Sequence, residues 1–317
     1  MEDEDGEREA ASIIVPYRDR EGLEVSEEVT EQFTGSGLEL ILVEGDNPSL
    51  QRNIGLEKAS HDTIFFLDDD SIPTGGHFQR GIELLSSDIR AVGGPELGCV
   101  DKSLRCKVFY GAYRSSFAMG RSRARYRKEG GRREAGEKDL ILSNLAFDRS
   151  LLEEVGGLNE RLFPNEENEL ISRIDDSSKI VYDPKMATRS CKSEPIGDFI
   201  SRFFKYGRGR AAQMMEEMKP SWEHTLPSMF SVYILLSVAL AFFSEISPQL
   251  LFSPALAYTL IGVAEGVKNS IEGDYAYILS VALYPIIHLS YGVGMITGFF
   301  LPYRPGIQIG DVEVKKI

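Results

Sequence analysis

The sequence predicts a doubly wound α/β domain continued by membrane-spanning helices. Three features carry that expectation. "TIFFL" (Thr63 to Leu67) is a strand with no polar face, and it delivers Asp68, Asp69 and Asp70 at its carboxyl end. Short apolar strands alternate with a helix before it, and two long uncharged runs occupy the last third of the chain. A strand without a polar side is buried on both faces, as in a mostly parallel sheet.

The acidic head "MEDEDGERE", within residues 1–11, reads as a solvated tail. "SIIVP" (Ser12 to Pro16) is the first strand, "LELILVE" (Leu38 to Glu44) the second, and "PSLQRNIGLEKAS" a helix leading into the third. In the doubly wound sheet that this alternation implies, ligands bind outside the carboxyl ends of the strands. Arg18, Glu44 and the three aspartates fall at such ends and are expected to line one crevice.

Carboxylates crowded in a crevice raise one another's pKa unless a cation is shared. Mg²⁺ and Mn²⁺ take oxygen ligands, commonly one or two carboxylates together with substrate phosphates. Asp68 and Asp70, two apart across a turn, suit that task. An isolated D-x-D more often caps the turn that follows it; here the buried strand before it and a second strand-end acid favour a site. The chain has no G-x-x-x-x-G-K-[ST] loop and no G-x-G-x-x-G after the first strand, so NTPase and dinucleotide readings lose support.

The 317 residues are 42% hydrophobic, ample for a core, and the net charge of −14 argues against a nucleic-acid partner. Cys99, Cys106 and Cys191 are widely spaced and histidines number four, which indicates neither a disulfide framework nor a zinc cluster. The cysteines are expected to be small buried residues. The first apolar run is short and follows acids, unlike a secretory signal, so the amino-terminal part is expected in the cytoplasm.

Leu226 to Phe243 is uncharged over about 18 residues and Tyr277 to Leu301 over about 25, the lengths a bilayer requires. Between them "LLFSPALAYTLIGVAEGV" carries Pro254 and Glu265 and reads as a third span, a re-entrant segment or a buried helix. Arg202, Lys205, Arg208, Arg210 and Lys219 precede the first span and place that side in the cytoplasm. Three spans would put Arg304, Lys315 and Lys316 on the far side, against the same rule. "IGDFISRFFKYGRGRAAQMM" sets Phe199, Ile200, Phe203 and Phe204 beside basic residues, the pattern of a helix lying in the membrane interface. "GRSRARYRKEGGRREAGEK" (Gly120 to Lys138) lacks apolar periodicity and reads as a mobile loop, either solvated or meeting lipid phosphates.

The acids of "NEENE" have two readings. They complement the dipole of an ordinary helix start, or the bent approach "GGLNERLFPN" sets that start beside the crevice.

In sequence order, "SIIVPYRDR", "LILVEGDNPSLQRNIGLEKA", "FFLDDD", "SNLAFDRSLLEEVGGLNERLF", "NEENELISRI" and "FFKYGRGRA" resemble the inverting glycosyltransferases of family 2. The type most similar is the membrane-anchored one that builds exopolysaccharide on lipid carriers, as in succinoglycan synthesis. The resemblance runs from about Ser12 to Arg210 and continues into the hydrophobic tail.

It implies a GT-A fold, a Rossmann-like mixed sheet with helices on both faces, over residues 12–196. With the residue patterns above, an interfacial helix over 197–222, two or three membrane helices within 223–303 and a tail from 304 are expected to follow. It also implies a nucleoside-diphosphate sugar donor, a UDP-sugar first, with Mn²⁺ or Mg²⁺. Partners would be a lipid-linked glycan acceptor and membrane lipid, with the catalytic domain on the cytoplasmic side. Carried over by residue, Pro16 and Arg18 lie at the donor pocket and Glu44 at the nucleobase. Arg52 and Asn53 belong to the helix behind it, and Asp68, Asp69 and Asp70 meet ribose and metal-bound diphosphate. Arg208 or Arg210 reaches the diphosphate, and Glu167 or Glu166 is the catalytic base, the second acid being favoured.

The chemistry needs such a base, since an acceptor hydroxyl attacking the anomeric carbon must lose its proton. Glu44 and the Glu166-Glu167 pair stand where aspartates are frequent, so base contacts and the choice of base are open. Rival expectations are a polyprenyl-phosphate sugar synthase and a noncatalytic membrane scaffold that senses nucleotide sugar.

Overall fold

The computed structural model describes residues 10–18, 37–98, 103–162, 164–174, 179–190, 194–218, 222–243, 245–301 and 313–316. Most of the acidic head, Cys99, Cys191, Lys219 and Arg304 lie outside them. The chain divides into two compact units. Met1–Val100, Ala124–Cys191 and Pro305–Ile317 form the first; Asp101–Arg123 and Lys192–Arg304 form the second.

In chain order the elements are β1 (Ala11–Tyr17), β2 (Leu38–Glu44), α1 (Pro48–Lys58), β3 (Thr63–Leu67), β4 (Ile72–Pro73), α2 (His77–Leu84), β5 (Ile89–Gly93) and β6 (Glu96–Leu97). Then come α3 (Leu104–Tyr113), α4 (Ser116–Met119), a 3₁₀ helix (Gly120–Arg125), β7 (Arg133–Glu134), β8 (Asn144–Asp148), α5 (Arg149–Glu154), α6 (Glu166–Arg173), β9 (Lys179–Tyr182) and β10 (Thr188–Arg189). α7 (Ile196–Glu217), α8 (Trp222–Phe243), α9 (Pro248–Glu272), a second 3₁₀ helix (Tyr275–Leu283), α10 (Tyr284–Phe300) and β11 (Val314–Lys316) follow.

The first unit is built on an eight-stranded sheet in the order β11-β2-β1-β3-β8-β5-β9-β7, with a small sheet β4-β10-β6 beside it. β1 pairs in parallel with β2 and β3, but β8 runs antiparallel between β3 and β5. The sheet is therefore mixed, as the GT-A resemblance implies, and not the mostly parallel one that the apolar β3 alone suggests; its long parallel run is β2-β1-β3.

The unbroken apolar character of β3 has a direct cause, because successive side chains of a strand point to opposite faces. Ile64 and Phe66 enter one core with Leu56, Leu151 and Leu170, whereas Phe65 and Leu67 enter the other with Phe78 and Leu84. Helices α1, α5 and α6 thus cover one face and α2 the other. α1 lies close on β1 because residue 55 is glycine: a Cβ there would stand 2.4 Å from Ile14 Cγ2. Asn47 caps α1, accepting from the N–H groups of Ser49 and Leu50 at 3.1 and 3.2 Å.

The segment Gly120 to Lys138, expected as a mobile loop, is built into the fold where its residues pack. Ala124, Arg125 and Tyr126 are buried, and β7 pairs with β9. The Arg133 guanidinium lies 4.2 Å from the centre of the Tyr182 ring and pairs with Asp139 at 2.5 Å. Arginine stems over aromatic faces order a stretch that shows no apolar period.

The second unit is helical. His224–Phe243, Pro248–Glu272 and Tyr275–Phe300 are long and apolar enough to cross a membrane, so the middle segment is one continuous helix despite Pro254. In α7, Phe199 and Phe203 do not face outward as an interfacial pattern predicts. They are buried, Phe199 against the ring of Phe109 at 4.9 Å and Phe203 stacked on Tyr113 at 6.0 Å, while Ile200 is exposed. Cys106 is buried as expected but is also disulfide-bonded, which the spacing of the cysteines did not suggest.

Candidate functional site

Parallel pairing of β1 with β2 puts Tyr17 opposite Glu44 and Pro16 opposite Val43 at the strand ends. The Tyr17 hydroxyl donates to Glu44 Oε2 at 3.1 Å, and Arg18 Nε lies 3.4 Å from Asp46 Oδ1. Gln51 of α1 ties the two strand ends together, donating from Nε2 to the carbonyls of Tyr17 (2.8 Å) and Val43 (2.5 Å). Arg18 and Glu44 thus form one polar edge.

β3 ends in a turn in which Ser71 N–H donates to the Asp68 carbonyl at 3.0 Å. Asp69 and Asp70 are exposed and Asp68 is half-buried. Arg52, a buried residue of α1, donates from Nη2 to Asp68 Oδ1 at 2.6 Å. Its Nη1 stands 3.5 Å from Glu166 Oε1, so one guanidinium joins the end of β3 to the start of α6. Asp70 is held from the opposite side, where the Ser190 hydroxyl donates to its Oδ2 at 2.8 Å. Antiparallel pairing of β4 with β10 brings Ser190 there.

Asn53, expected with Arg52 on the helix behind the donor pocket, has partners different from those of Arg52. It donates from Nδ2 to the Leu158 carbonyl (3.0 Å) and Glu160 Oε1 (2.8 Å), and accepts from Leu158 N–H at 2.9 Å. Adjacent residues on a helix point about 100° apart, so Arg52 and Asn53 serve different neighbours. Asn53 anchors the turn that leads to α6.

That turn enters α6 through Asn165 in the left-handed region, φ 93°, with no side-chain cap. The three acids of the first turn then separate. Glu169 pairs with Arg173 one turn further along the same helix, at 2.8 Å. Glu166 is buried beside Arg52, and Glu167 Oε1 accepts from Arg125 Nη1 at 3.0 Å. Arg125 Nη2 also donates to Asn168 Oδ1 at 2.5 Å and to the Glu137 carbonyl. Motif reading passed over Arg125; its only signal was an arginine between the small or aromatic residues Ala124 and Tyr126.

Burial raises the Glu166 carboxyl from 4.5 to about 8, and the charges of Glu167 and Asp68 add to the rise while Arg52 opposes it. Burial thus favours the protonated form of Glu166 near neutral pH. A carboxyl with a raised folded-state pKa stabilises fully below its unfolded value, and that contribution is lost as pH climbs toward the folded value. Glu166→Gln cannot titrate. Its melting temperature relative to the parent is expected to rise steadily between pH 4.5 and 8. Thermal unfolding at several pH values checks this, and a constant difference across the range would refute it.

Arg208 and Arg210 lie on α7 in the second unit. Arg208 donates from Nη2 to the Leu301 carbonyl at 3.1 Å, and Arg210 is buried.

Residues 13–156 match the family model described as Glycosyl transferase family 2, which is less than half of the chain. Among solved structures, a mannosyltransferase, PcManGT from Pyrobaculum calidifontis in complex with GDP-Man and Mn²⁺, is similar in fold. It is 14% identical with a TM-score of 0.55, and the likeness covers 87% of this chain and 86% of that one. TarS 1–349 of S. aureus in complex with UDP-GlcNAc is 12% identical over 92% of this chain and 90% of that one, with a TM-score of only 0.42. No curated protein matches the sequence. The chain therefore has a GT-A-like mixed α/β fold, of which residues 13–156 are similar to the family 2 glycosyltransferase model, followed by three helices long and apolar enough to span a membrane.

Proposed function

We propose that the protein is an inverting glycosyltransferase that moves a hexose from a nucleoside-diphosphate sugar to a lipid-linked glycan at a membrane. The observation that carries the reading is the buried Arg52, which couples Asp68 at the end of β3 to Glu166 at the start of α6. A donor contact is thereby tied to the start of α6, the turn that also carries the candidate base Glu167, and a single displacement requires the two to be positioned together.

In this reading Arg18 and Glu44 meet the nucleoside and Asp68, set by Arg52, the ribose. Glu167 takes the proton from the attacking acceptor hydroxyl, and Glu166, which holds its own proton, lies in the same turn without competing for it. A carboxylate removing that proton in the transition state is worth roughly 10²–10⁴-fold. Attack on the face opposite the leaving diphosphate inverts the anomeric centre.

The residues fit a divalent cation that arrives with the donor. Among the described residues no three His, Cys, Asp or Glu converge as a self-sufficient metal site. Mg²⁺-type sites need only one or two carboxylates plus substrate phosphates, and Asp70 is an exposed hard donor oriented by Ser190, with Asp68 near it in sequence. When bound, such a cation neutralises charge on the departing diphosphate.

The test is a panel of UDP- and GDP-sugars offered with Mn²⁺ to membranes carrying the full chain. One donor is expected to release its nucleoside diphosphate and label a lipid-extractable glycan. Pyrophosphate release would replace the reading with nucleotidyl transfer. A labelled lipid monophosphate sugar would move the acceptor to the carrier lipid itself, and donor binding without turnover would leave a sensor.

A further inference from the structure

We infer that the chain crosses the bilayer twice, through a hairpin of α8 and α9, and that the third apolar stretch, Tyr275–Phe300, does not cross. The inference concerns lipid as the partner of one surface and stands independently of the chemistry proposed above.

The first ground is parity. β11 follows all three apolar helices, yet it is a strand of the same sheet as β1 and β2. Val314, Lys315 and Lys316 pair with Val43, Leu42 and Ile41, and Glu44 N–H donates to the Glu313 carbonyl at 2.9 Å. Lys316 Nζ donates to Ser60 Oγ at 2.9 Å and pairs with Glu39. One sheet lies on one side of a membrane, so the stretch leaving after β10 and returning at β11 crosses an even number of times. Of three candidate spans, at most two are used.

The second ground selects the pair. Tyr275–Phe300 is packed at both ends on helices that bear charge. Its carboxyl half lies on α7 through glycines: a Cβ at Gly294 would stand 2.1 Å from the Phe204 carbonyl oxygen, and one at Gly207 would stand 2.1 Å from that of Tyr291. α7 carries Asp198, Arg202, Lys205, Arg208 and Arg210 along its length. Its amino half lies on α3, where Arg114 stacks 4.9 Å over the Tyr277 ring and Lys107 pairs with Asp274 at 2.7 Å. Charged side chains are costly in the hydrocarbon core, so the helices carrying them stay out of it and hold Tyr275–Phe300 with them.

α8 and α9 differ. Only 11% of the most apolar window of each is buried, against 39% for Tyr275–Phe300. Met229, Leu235 and Phe243 on α8 and Leu250, Leu256 and Leu260 on α9 are exposed. At about 1.5 Å per residue, the 20 residues of His224–Phe243 match a hydrocarbon core of about 30 Å. Three polar grips lie toward the open end: Ser228 Oγ donates to the Gly292 carbonyl at 3.3 Å, Ser116 N–H to Glu265 at 2.8 Å and Asn269 Nδ2 to the Gly111 carbonyl at 2.8 Å. Nearer mid-helix, the Tyr258 hydroxyl lies 2.7 Å from His288 Nδ1. Two crossings also return Lys315 and Lys316 to the side of the basic residues that precede α8, in keeping with the distribution of positive charge around spans.

The experiment uses the full chain in sealed vesicles of one orientation, cytoplasmic face outward, with epitope tags at the amino terminus, at the carboxyl terminus or between Glu245 and Ser247. Added protease is expected to remove both terminal tags and to leave the hairpin tag intact until detergent is added. A carboxyl-terminal tag protected while the amino-terminal one is cut means an odd number of crossings and overturns the inference. A hairpin tag cut together with both ends means no crossing and overturns it equally. Ser247→Cys and Lys315→Cys, probed with a membrane-impermeant maleimide against the parent background, read the same two sites without a tag: Lys315→Cys should label in intact vesicles and Ser247→Cys only after detergent.

Discussion

Glu167→Gln is expected to bind donor with Mn²⁺ as tightly as the parent and to turn over roughly 10²–10⁴-fold more slowly, the usual worth of a positioned general base. The amide matches the carboxylate in size and can still accept from Arg125 Nη1, which now lies 3.0 Å from Glu167 Oε1, so the start of α6 should keep its geometry. What it loses is the capacity to take a proton. Glu166→Gln is the informative partner, because Glu166 already holds a proton near neutral pH through burial. Replacing it with a neutral amide should therefore change turnover far less. Calorimetric donor binding paired with product formation reads both variants. If Glu166→Gln is dead and Glu167→Gln active, the base is Glu166; if both stay active, the acids only begin a helix.

The elements legible in the sequence are those whose signal is local. β2 and β3 occupy the residues that their apolar runs mark, and α1 ends two residues short of the marked segment. Their burial is fixed by nearest-neighbour alternation, which a sequence displays directly. The acids at the start of α6 were legible as a cluster. That Glu169 pairs with Arg173 of its own helix while Glu166 and Glu167 meet arginines of other segments follows from helical phase and from the residues facing them.

Long-range partnerships were not legible. Arg125 reaches Glu167 across 42 positions from a stretch without apolar period, so nothing near it marks it as part of a site. Asn53 stands with Arg52 in the motif that carries the resemblance, although helix geometry gives the two different partners. The phenylalanines of α7 carry the pattern of a lipid-facing stripe, and the same pattern serves a stripe that other helices cover. β11 is three residues long, below the length at which a strand declares itself, and its pairing with β2 depends on a partner far back in the chain.

Asp70→Asn is expected to abolish the dependence of donor binding on Mn²⁺ or Mg²⁺ and to lower turnover on the order of 10²–10³-fold, the scale of one contact to developing charge. The substitution is structurally mild. Asp70 is exposed, and an asparagine oxygen can accept the Ser190 hydroxyl as Asp70 Oδ2 does at 2.8 Å. The lost quantity is the formal charge, which a hard cation requires of its ligands and a hydrogen bond does not. Asp69→Asn, its exposed neighbour, is the control and should retain metal-dependent binding, since successive residues in the turn point apart. Asp68→Asn should behave differently again. Its partner is the buried Arg52, with Nη2 2.6 Å from Oδ1, so weakening that ion pair leaves a buried cation undercompensated and loosens the frame that holds Glu166. Lower thermal stability is therefore expected for Asp68→Asn and not for Asp70→Asn. Donor titrations with and without metal, alongside melting curves for the three variants, separate the two effects. Unchanged metal dependence in Asp70→Asn would remove Asp70 from the metal site and leave the cation to be sought among the other crevice carboxylates.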